Sequence, residues 1–216
     1  MCSEKEDLKN KVIEVINLLE LVHSDAKLIL KWSNPLELLI AAILAAQYRD
    51  DLVNKVTENL FKKYKTVEDY ANASLEELEN DIRSVRFCRV KARNIKNACK
   101  MIIEKYNGEV PRRMEDLLNL PGVARKTANI VLSNAFGVIE GIIVDTHVSR
   151  VSRRLGLTNE TDPDKIEEDL MKIVPRDKWL RFADLLIFHG RRICTAKRPK
   201  CGECILNKIC PSASVT

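Results

Sequence analysis

The chain has 216 residues, of which 45% are hydrophobic, 31% are charged and 5% are aromatic. This length supports a sizeable core in one large domain or two small ones, and the mixing of charged with apolar residues excludes a disordered chain. The low aromatic content argues against a β-sandwich or barrel. The longest apolar run, residues 38–46, is far shorter than the ~20 residues of a membrane helix. Because the first residues also lack an apolar signal core, we expect a soluble cytoplasmic protein with no membrane partner.

Helical patterns follow one another along the chain. Apolar residues three and four apart over residues 12–19 predict an amphipathic first helix. Asn34-Pro35 predicts the start of a second helix, residues 36–46, which is apolar on nearly all sides and therefore predicted to be buried. Further helices are predicted from the capping pairs Thr66/Asp69 and Ser74/Glu77, from Asp162-Pro163, and at about residues 89–106 and 176–189. Only residues 141–144 have a β-like pattern, so we predict an all-α fold.

The net charge of +5 is unevenly distributed. Residues 83–105 contain eight basic residues and one acidic residue, and residues 176–210 contain nine basic and three acidic residues. The remainder of the chain is acidic. Two basic segments on an otherwise acidic molecule indicate a polyanionic partner, nucleic acid first, although both segments are also compatible with solvated helix faces.

Residues 120–129 predict a hairpin between two helices. Pro121-Gly122 forces a tight turn, because proline restricts φ and glycine accepts a positive one. The first N–H groups of the following helix are then unpaired and form a site for a phosphate oxygen. A helix, a hairpin and a second helix can thus hold a DNA backbone without reading its sequence, and the alternative is an ordinary corner between helices.

Lys126 and Asp145 are the candidate chemical groups. Lys126 lies in the first turn of the second helix, where a positive charge is unfavourable and the neutral, nucleophilic form gains population; the alternative is a protonated lysine that contacts phosphate. Asp145 follows an apolar stretch and precedes a helical pattern, so it is predicted to be an N-cap. Its second oxygen can then stabilise a positively charged sugar in a transition state. We interpret His147 as a structural residue.

Four cysteines close to the carboxyl end have the spacing C-x6-C-x2-C-x5-C: Cys194, Cys201, Cys204 and Cys210. Clustered cysteines in a reduced cytoplasmic protein are metal ligands more often than disulfides. Zinc sites usually have two close pairs of ligands, whereas the wider spacing here favours an iron–sulfur cluster over zinc, which stays the alternative. Three cations lie between the first two cysteines, and they either contact phosphate or balance the charge of an anionic cluster: Lys197, Arg198 and Lys200.

These motifs together resemble the endonuclease III family of helix-hairpin-helix, iron–sulfur DNA glycosylases and AP lyases. The resemblance covers essentially the whole chain and depends on residues 120–129, residues 144–147 and the cysteine spacing. It implies a two-lobed all-α fold with a six-helix barrel domain at residues 26–138. Residues 1–25 and 139–216 would form an iron–sulfur domain, with a [4Fe–4S] cluster on the four cysteines.

The resemblance also implies a function in base excision repair. A monomer would bind double-stranded DNA that contains damaged bases or abasic sites, remove oxidised pyrimidines, and cut the strand 3′ to the abasic site by β-elimination. Lys126 would attack the anomeric carbon of the flipped nucleotide, and Asp145 would stabilise the cationic sugar. The DNA contacts would come from Gln47, which fills the vacated stack, from Phe87, which wedges the opposite strand, from the hairpin residues Gly122, Val123, Ala124 and Arg125, and from Lys197, Arg198 and Lys200.

Several departures from the family pattern lie in these DNA-contact loops, among them Arg86 and Cys88, which flank Phe87 where glycine and tyrosine are usual. Ala124 stands where the family commonly has glycine, and a positive φ there would cost the alanine about 1 kcal/mol. Tyr48-Arg49 replaces a pair of small residues after Gln47. Two alternatives therefore stay open: a glycosylase of the same fold for G/T mismatches or ultraviolet lesions, and a non-catalytic DNA-binding module with a zinc site.

Overall fold

The computed structural model describes residues 2–213, without the side chains of residues 2–5, and every regular element in this range is a helix. The prediction that no export signal is present rests on the first residues of the chain, and of these Met1 lies outside the described range. The all-α prediction is confirmed, and residues 141–144 are buried without forming a strand. No helix in the described range is long and apolar enough to cross a bilayer. The α-helices are α1 (Cys2–Val22), α2 (Pro35–Ala45), α3 (Asp50–Lys63), α4 (Val67–Asn72), α5 (Leu75–Asp81), α6 (Cys88–Tyr106), α7 (Met114–Leu118), α8 (Arg125–Ala135), α9 (Thr146–Arg154), α10 (Pro163–Ile173) and α11 (Trp179–Arg192).

The predicted helix starts are explained by local hydrogen bonds. The side chain of Asn34 accepts from the Glu37 N–H, with proline as the first residue of α2. Thr66 and Asp69 form a complete reciprocal capping box. At the start of α5 only one of the two capping-box hydrogen bonds forms, in which the Ser74 side chain accepts the Glu77 N–H at 3.0 Å. These contacts satisfy the first N–H groups of each helix, which have no acceptor within the helix.

The helices that were not predicted lack these signals. The N-cap positions of α3 and α7 are Arg49 and Arg113, and neither makes a side-chain capping bond. Two predicted boundaries also move. Helix α6 begins at Cys88, and a short 3-10 turn, Arg176–Lys178, precedes α11.

One compact unit, Ile29–Glu140, contains α2 to α8. Helix α2 is its central element, because it packs against α3, α6 and α8, and every residue from Leu38 to Ala45 is buried. Helices α4 and α5 pack against α6, and α7 packs against α8. Burying a leucine or isoleucine side chain stabilises the fold by roughly 1.5–3 kcal/mol, so the apolar α2 holds this unit together.

The second unit joins the chain up to Leu28 with the chain from Gly141 onward. Helix α11 packs against α9 and α1, and α10 packs against α1. Apolar side chains of α1 and α11 form its core, among them Val15, Leu19 and Phe182. Arg181 of α11 also pairs with the carboxylate of Glu20 on α1, which fixes the two distant parts of the chain against each other.

Candidate functional site

The predicted hairpin is closed by the Val123 N–H, which donates to the Leu120 carbonyl at 3.1 Å. Gly122 has φ +80, and a Cβ at this position would lie 2.9 Å from side-chain atoms of Asn94 on α6. Glycine is therefore required both by the backbone and by close packing. The side chain of Val123 is buried.

The hairpin leads into an α8 whose amino terminus has no side-chain cap. The N-cap residue is Ala124, with φ −96 and ψ 171 and no side-chain capping bond. The concern that this alanine is strained is therefore wrong, because φ is negative. An uncapped helix start presents N–H groups and the positive end of the helix dipole, which together bind anions such as phosphate.

Lys126 is the second residue of α8, and its side chain is exposed. The residues that follow it, Thr127 and Ala128, are buried and anchor the first turn in the core. The lysine therefore projects from a fixed helix start beside the anion-binding N–H groups. This arrangement places a primary amine at the uncapped start of α8.

Asp145 is the N-cap of α9, as predicted. Its Oδ1 accepts the N–H groups of His147 at 2.7 Å and Val148 at 2.8 Å. Residues 142–144 before it are buried, so the carboxylate is held at the end of a buried strip. Since both bonds go to Oδ1, Oδ2 is the oxygen presented to a ligand.

Helix α9 is fixed by Arg150, which the sequence analysis did not identify. Its guanidinium donates to the Cys194 carbonyl from Nε at 3.1 Å and from Nη2 at 3.0 Å, and to the Gly190 carbonyl at 2.9 Å. The same Nη2 lies 3.2 Å from Nδ1 of His147. Burial lowers the pKa of His147, with smaller contributions from neighbouring arginines. His147 thus has structural contacts, and Arg150 connects the helix of Asp145 to the first cysteine.

The four cysteines line one cavity of about 380 Å³ in the second unit. No three His, Cys, Asp or Glu side chains within residues 2–213 are arranged to hold a metal ion. Four thiols around a shared cavity, without the tight geometry of a single-ion site, suit a larger four-thiolate cluster better than zinc.

The surroundings of the cavity also fit an anionic cluster. Arg154 donates to Sγ of Cys194 at 3.2 Å, and Nε2 of His189 lies 3.4 Å from Sγ of Cys204. Burial, followed by the charge of His23, lowers the pKa of His189 to about 4. The histidine is therefore neutral at physiological pH, whereas the arginine supplies positive charge to the thiolate side of the cavity.

The loop between the first two cysteines presents its cations to solvent, since the side chains of Lys197, Arg198 and Lys200 are all exposed. The loop is held from inside by Arg154, which donates to the carbonyls of Thr195 at 2.8 Å and Ala196 at 2.9 Å. The cations are thus carried by a backbone that is tied to the cavity wall.

Gln47 and Phe87 lie in two loops of the first unit, and both side chains are exposed, Phe87 by 52%. They line a common surface pocket with Gly122 of the hairpin. Two lysines of the neighbouring basic segment, Lys91 and Lys96, turn inward to backbone carbonyls. The exposed basic surface is therefore smaller than the sequence count and consists of Arg83, Arg86, Arg89, Arg93, Lys100 and Lys105.

Two regions of the chain match models of known protein families. Residues 40–176 match the family model of HhH-GPD superfamily base excision DNA repair proteins, and residues 194–210 match that of the iron–sulfur binding domain of endonuclease III. Endonuclease III of Synechocystis sp. is 49% identical over 96% of this chain and 95% of its own length. The endonuclease III of Bacillus subtilis is 51% identical over 87% of this chain and 85% of its own.

Solved structures of endonuclease III have the same fold. A non-covalent endonuclease III–DNA complex matches with a TM-score of 0.92 at 48% identity, covering 96% of this chain and 97% of that one. A trapped covalent endonuclease III–DNA intermediate with an estranged adenine matches with the same values. A thermostable thymine-DNA glycosylase matches with a TM-score of 0.85 at 26% identity, over 96% and 98% of the two chains.

These matches confirm the predicted enzyme and cofactor. The interpretation as a non-catalytic zinc module is wrong, because the cysteine segment matches the iron–sulfur domain. The protein binds DNA, carries a [4Fe–4S] cluster, and is a bifunctional base-excision DNA glycosylase and AP lyase. The chain belongs to the endonuclease III family of HhH-GPD DNA repair proteins.

Proposed function

We propose that Lys126 is the nucleophile of this enzyme and that Asp145 stabilises the positive charge that develops on the sugar. The damaged nucleotide is flipped out of the duplex, at a cost of a few kcal/mol that is lowest for a damaged base. The neutral amine of Lys126 attacks C1′, the bond between C1′ and the base breaks, and the base leaves with the bonding electrons and a proton. Oδ2 of Asp145 lies outside the helix cap and is the oxygen available to the cationic sugar.

The covalent intermediate accounts for strand cutting. Loss of the amine proton and opening of the sugar ring give a Schiff base between Nζ and C1′. This imine acidifies the C2′ proton, whose removal expels the 3′ phosphate by β-elimination. Water then releases Lys126 from the unsaturated sugar. None of these steps needs an oxidant or a reductant; the four cysteine thiolates would hold the cluster, which would thereby order the loop between the first two of them.

One observation carries the assignment of Lys126. Its exposed amine lies at the second position of a helix that has a hairpin with φ +80 at Gly122 before it and no side-chain cap. A phosphate bound at this helix start would bring the sugar of the same strand to this amine.

We assign the remaining site residues on the same basis. Cys194, Cys201, Cys204 and Cys210 would bind the cluster, and the unit that contains them would be the iron–sulfur domain, with Ile29–Glu140 as the barrel domain. Gln47 would fill the vacated stack and Phe87 would wedge the opposite strand. Backbone contacts from the hairpin and charge contacts from the loop would hold phosphates, through Gly122, Val123, Ala124, Arg125, Lys197, Arg198 and Lys200.

The substrate we propose is double-stranded DNA with an oxidised pyrimidine or an abasic site, bound by a monomer in the bacterial cytoplasm. The curated relatives are bacterial endonuclease III proteins, which supports this location. Mismatched thymine is the second candidate, because a thymine-DNA glycosylase matches this fold at 26% identity. Single-turnover excision rates distinguish these candidates. They are measured at one stated salt concentration on duplexes that contain an oxidised pyrimidine, a G/T mismatch or a pyrimidine dimer.

Reductive trapping tests Lys126 directly. Sodium borohydride reduces the imine and should leave a covalent protein–DNA adduct in the unaltered enzyme. Lys126→Ala should abolish the adduct. Lys126→Arg should also abolish it while retaining DNA affinity, since the guanidinium keeps the positive charge but stays protonated. A phosphate-contacting role for Lys126 would instead leave trapping intact in Lys126→Arg, and that result would overturn the assignment.

A further inference from the structure

Gln47 and Phe87 share an unusual backbone conformation. Among residues 2–213, the non-glycine residues with positive φ are Gln47 (φ 54), Phe87 (φ 61) and Asn107 (φ 53). Asn107 ends α6, a place where asparagine often adopts this conformation. Glutamine and phenylalanine do so rarely, and such conformers persist only where neighbouring contacts impose them. Contacts with neighbouring residues must therefore hold the backbones of Gln47 and Phe87, the two residues proposed to enter DNA, in this conformation.

The Gln47 turn is a tight one that directly follows α2. Ala46 has φ −57 and ψ 117, and the Tyr48 N–H donates to the Ala45 carbonyl at 3.0 Å. With φ 54 at Gln47, these values describe a type II turn, which ordinarily has glycine or asparagine at the third position. The turn exposes the side chain of Gln47, at the cost of an unfavourable backbone.

The side chain of Lys91 binds the backbone of this turn. Its side chain is only 6% exposed, and Nζ donates to the carbonyls of Leu44 and Ala46, at 2.7 Å in both bonds. Both partners are backbone carbonyls at the negative end of α2 rather than a carboxylate. Burial, together with the charge of Arg86, lowers the pKa of Lys91 to about 8. A buried ammonium is unfavourable without such partners, so the contacts that it makes are specific.

The same lysine is connected to Phe87. The Lys91 N–H donates to the Phe87 carbonyl at 3.0 Å, in the first turn of α6. A second connection comes from Tyr48, whose hydroxyl donates to the Ser84 carbonyl at 2.7 Å. The Gln47 turn and the loop before α6 are thus bonded to each other at two points.

We propose that Lys91, assisted by Tyr48, is a positioning residue that locks the Gln47 turn to the Phe87 loop so that both side chains enter the DNA in register. The proposal rests on the proposed insertion of these two side chains. Residues 87, 91 and 94 also lie on one face of α6, and Asn94 packs against Gly122 of the hairpin. Helix α6 therefore contacts all three proposed DNA-contact segments: the Phe87 loop, the Gln47 turn and the hairpin. Lys91 makes the contact to the Gln47 turn.

A positioning role affects base extrusion more than the later chemistry. Filling the stack is needed when a paired base must leave the duplex, whereas an abasic site has no base to extrude. Misplacing a catalytic contact by about 1 Å can cost on the order of 100-fold in rate. The two activities of the enzyme should therefore respond differently to loss of the Lys91 bonds.

The variant Lys91→Met tests this difference, since methionine fills the same volume without a donor. Single-turnover excision of an oxidised pyrimidine should slow by roughly 10- to 100-fold, while borohydride trapping at a preformed abasic site stays close to that of the unaltered enzyme. A 2-aminopurine placed opposite a 2′-fluoro lesion nucleotide, which resists cleavage, should also lose most of its fluorescence increase on binding. This signal reports unstacking and does not respond to stability alone.

Lys96→Met is the matched control. Lys96 lies on the same helix and donates to the carbonyls of Ala71 and Ala73 at the end of α4, away from the two loops. It should lose thermal stability as Lys91→Met does, yet keep excision and fluorescence. Equal losses of excision in both variants, or a Lys91→Met variant whose trapping falls as much as its excision, would overturn the proposal.

A second variant covers the case in which Lys91→Met does not fold. Tyr48→Phe removes only the bond to Ser84 and should show the same pattern with a smaller rate loss; an unchanged fluorescence signal in this variant would contradict the proposal. The proposed function is tested separately, because failure of the unaltered enzyme to form an adduct at an abasic site concerns Lys126 and not Lys91.

Discussion

The guanidinium of Arg154, the last residue of α9, donates a hydrogen bond to Sγ of Cys194 at 3.2 Å. The helix that Asp145 begins thus ends at the thiol of a proposed cluster ligand. Arg150, one turn earlier, donates to the carbonyl of the same cysteine. Together the two arginines join the helix of the proposed catalytic carboxylate to the cluster cavity.

Replacement of Arg154 should weaken cluster binding. Arg154→Met removes the bond to Sγ of Cys194 and the two bonds to the loop carbonyls, and the loss of such outer contacts typically lowers metal affinity by roughly 10- to 100-fold. We expect fewer irons per purified chain and faster loss of visible absorbance in chelator. Arg153→Met is the control, because the side chain of Arg153 is exposed. Equal iron retention in the two variants would contradict the prediction.

Two substitutions of Asp145 should separate helix capping from chemistry. Asp145→Asn keeps an oxygen that can accept the N–H groups of His147 and Val148, and Asn caps helices as well as Asp does. Its melting temperature should stay near that of the unaltered enzyme, while base excision falls by about 10²- to 10⁴-fold. Asp145→Ala should lose excision and also about 1 kcal/mol of stability. An active Asp145→Asn enzyme would show that the residue is only a cap.

Exchange of glycine and alanine at two hairpin positions, Gly122 and Ala124, should destabilise the protein in both cases, because the two backbones have φ of opposite sign. Gly122→Ala adds a Cβ at φ +80, 2.9 Å from Asn94, and should destabilise the unit Ile29–Glu140 by on the order of 2 kcal/mol. Ala124→Gly, which restores the family residue, should lower stability by about 0.4–1 kcal/mol, because φ is already −96 and glycine only adds freedom to the unfolded chain. Urea unfolding of both variants measures this, and a stabilised Ala124→Gly would contradict the observed backbone.

The stability of the protein should depend on pH through Asp184. Burial raises the pKa of this carboxyl from 3.8 to about 6, against the charge of Arg181. A raised pKa means that the group stabilises the fold when protonated and that this contribution is lost as the pH rises through 6. Asp184→Asn should therefore melt higher than the unaltered protein at about pH 7.5, at roughly 2–4 °C per kcal/mol gained.

The comparison at lower pH is the control for this prediction. Near pH 5 the carboxyl of the unaltered protein is largely protonated, so the advantage of Asp184→Asn should shrink. Differential scanning calorimetry of both proteins at the two pH values provides the measurement. An advantage that is equal at both values would mean that the amide acts through packing rather than through charge.

Local patterns in the sequence determined much of this protein. The sequence predicted the helix caps at Asn34, Thr66 and Asp145 and the turn at Pro121-Gly122, because each depends on residues a few positions apart. The spacing of the four cysteines likewise predicted a shared site. The same local order identified Lys126 and Asp145 as the candidate chemical groups. Helices without caps, such as α3 and α7, carried no comparable signal and were not predicted.

Only the tertiary structure decided which basic residues are exposed and which bind the backbone of distant segments. Lys91 and Lys96 look like members of a basic surface in the sequence, but their partners are carbonyls as far as 47 residues away. Arg150 and Arg154 likewise meet Cys194 across 44 and 40 residues. The positive φ of Gln47 and Phe87 has no sequence signal either, because neither residue type favours it. These features arise from packing between distant helices, which no local pattern encodes.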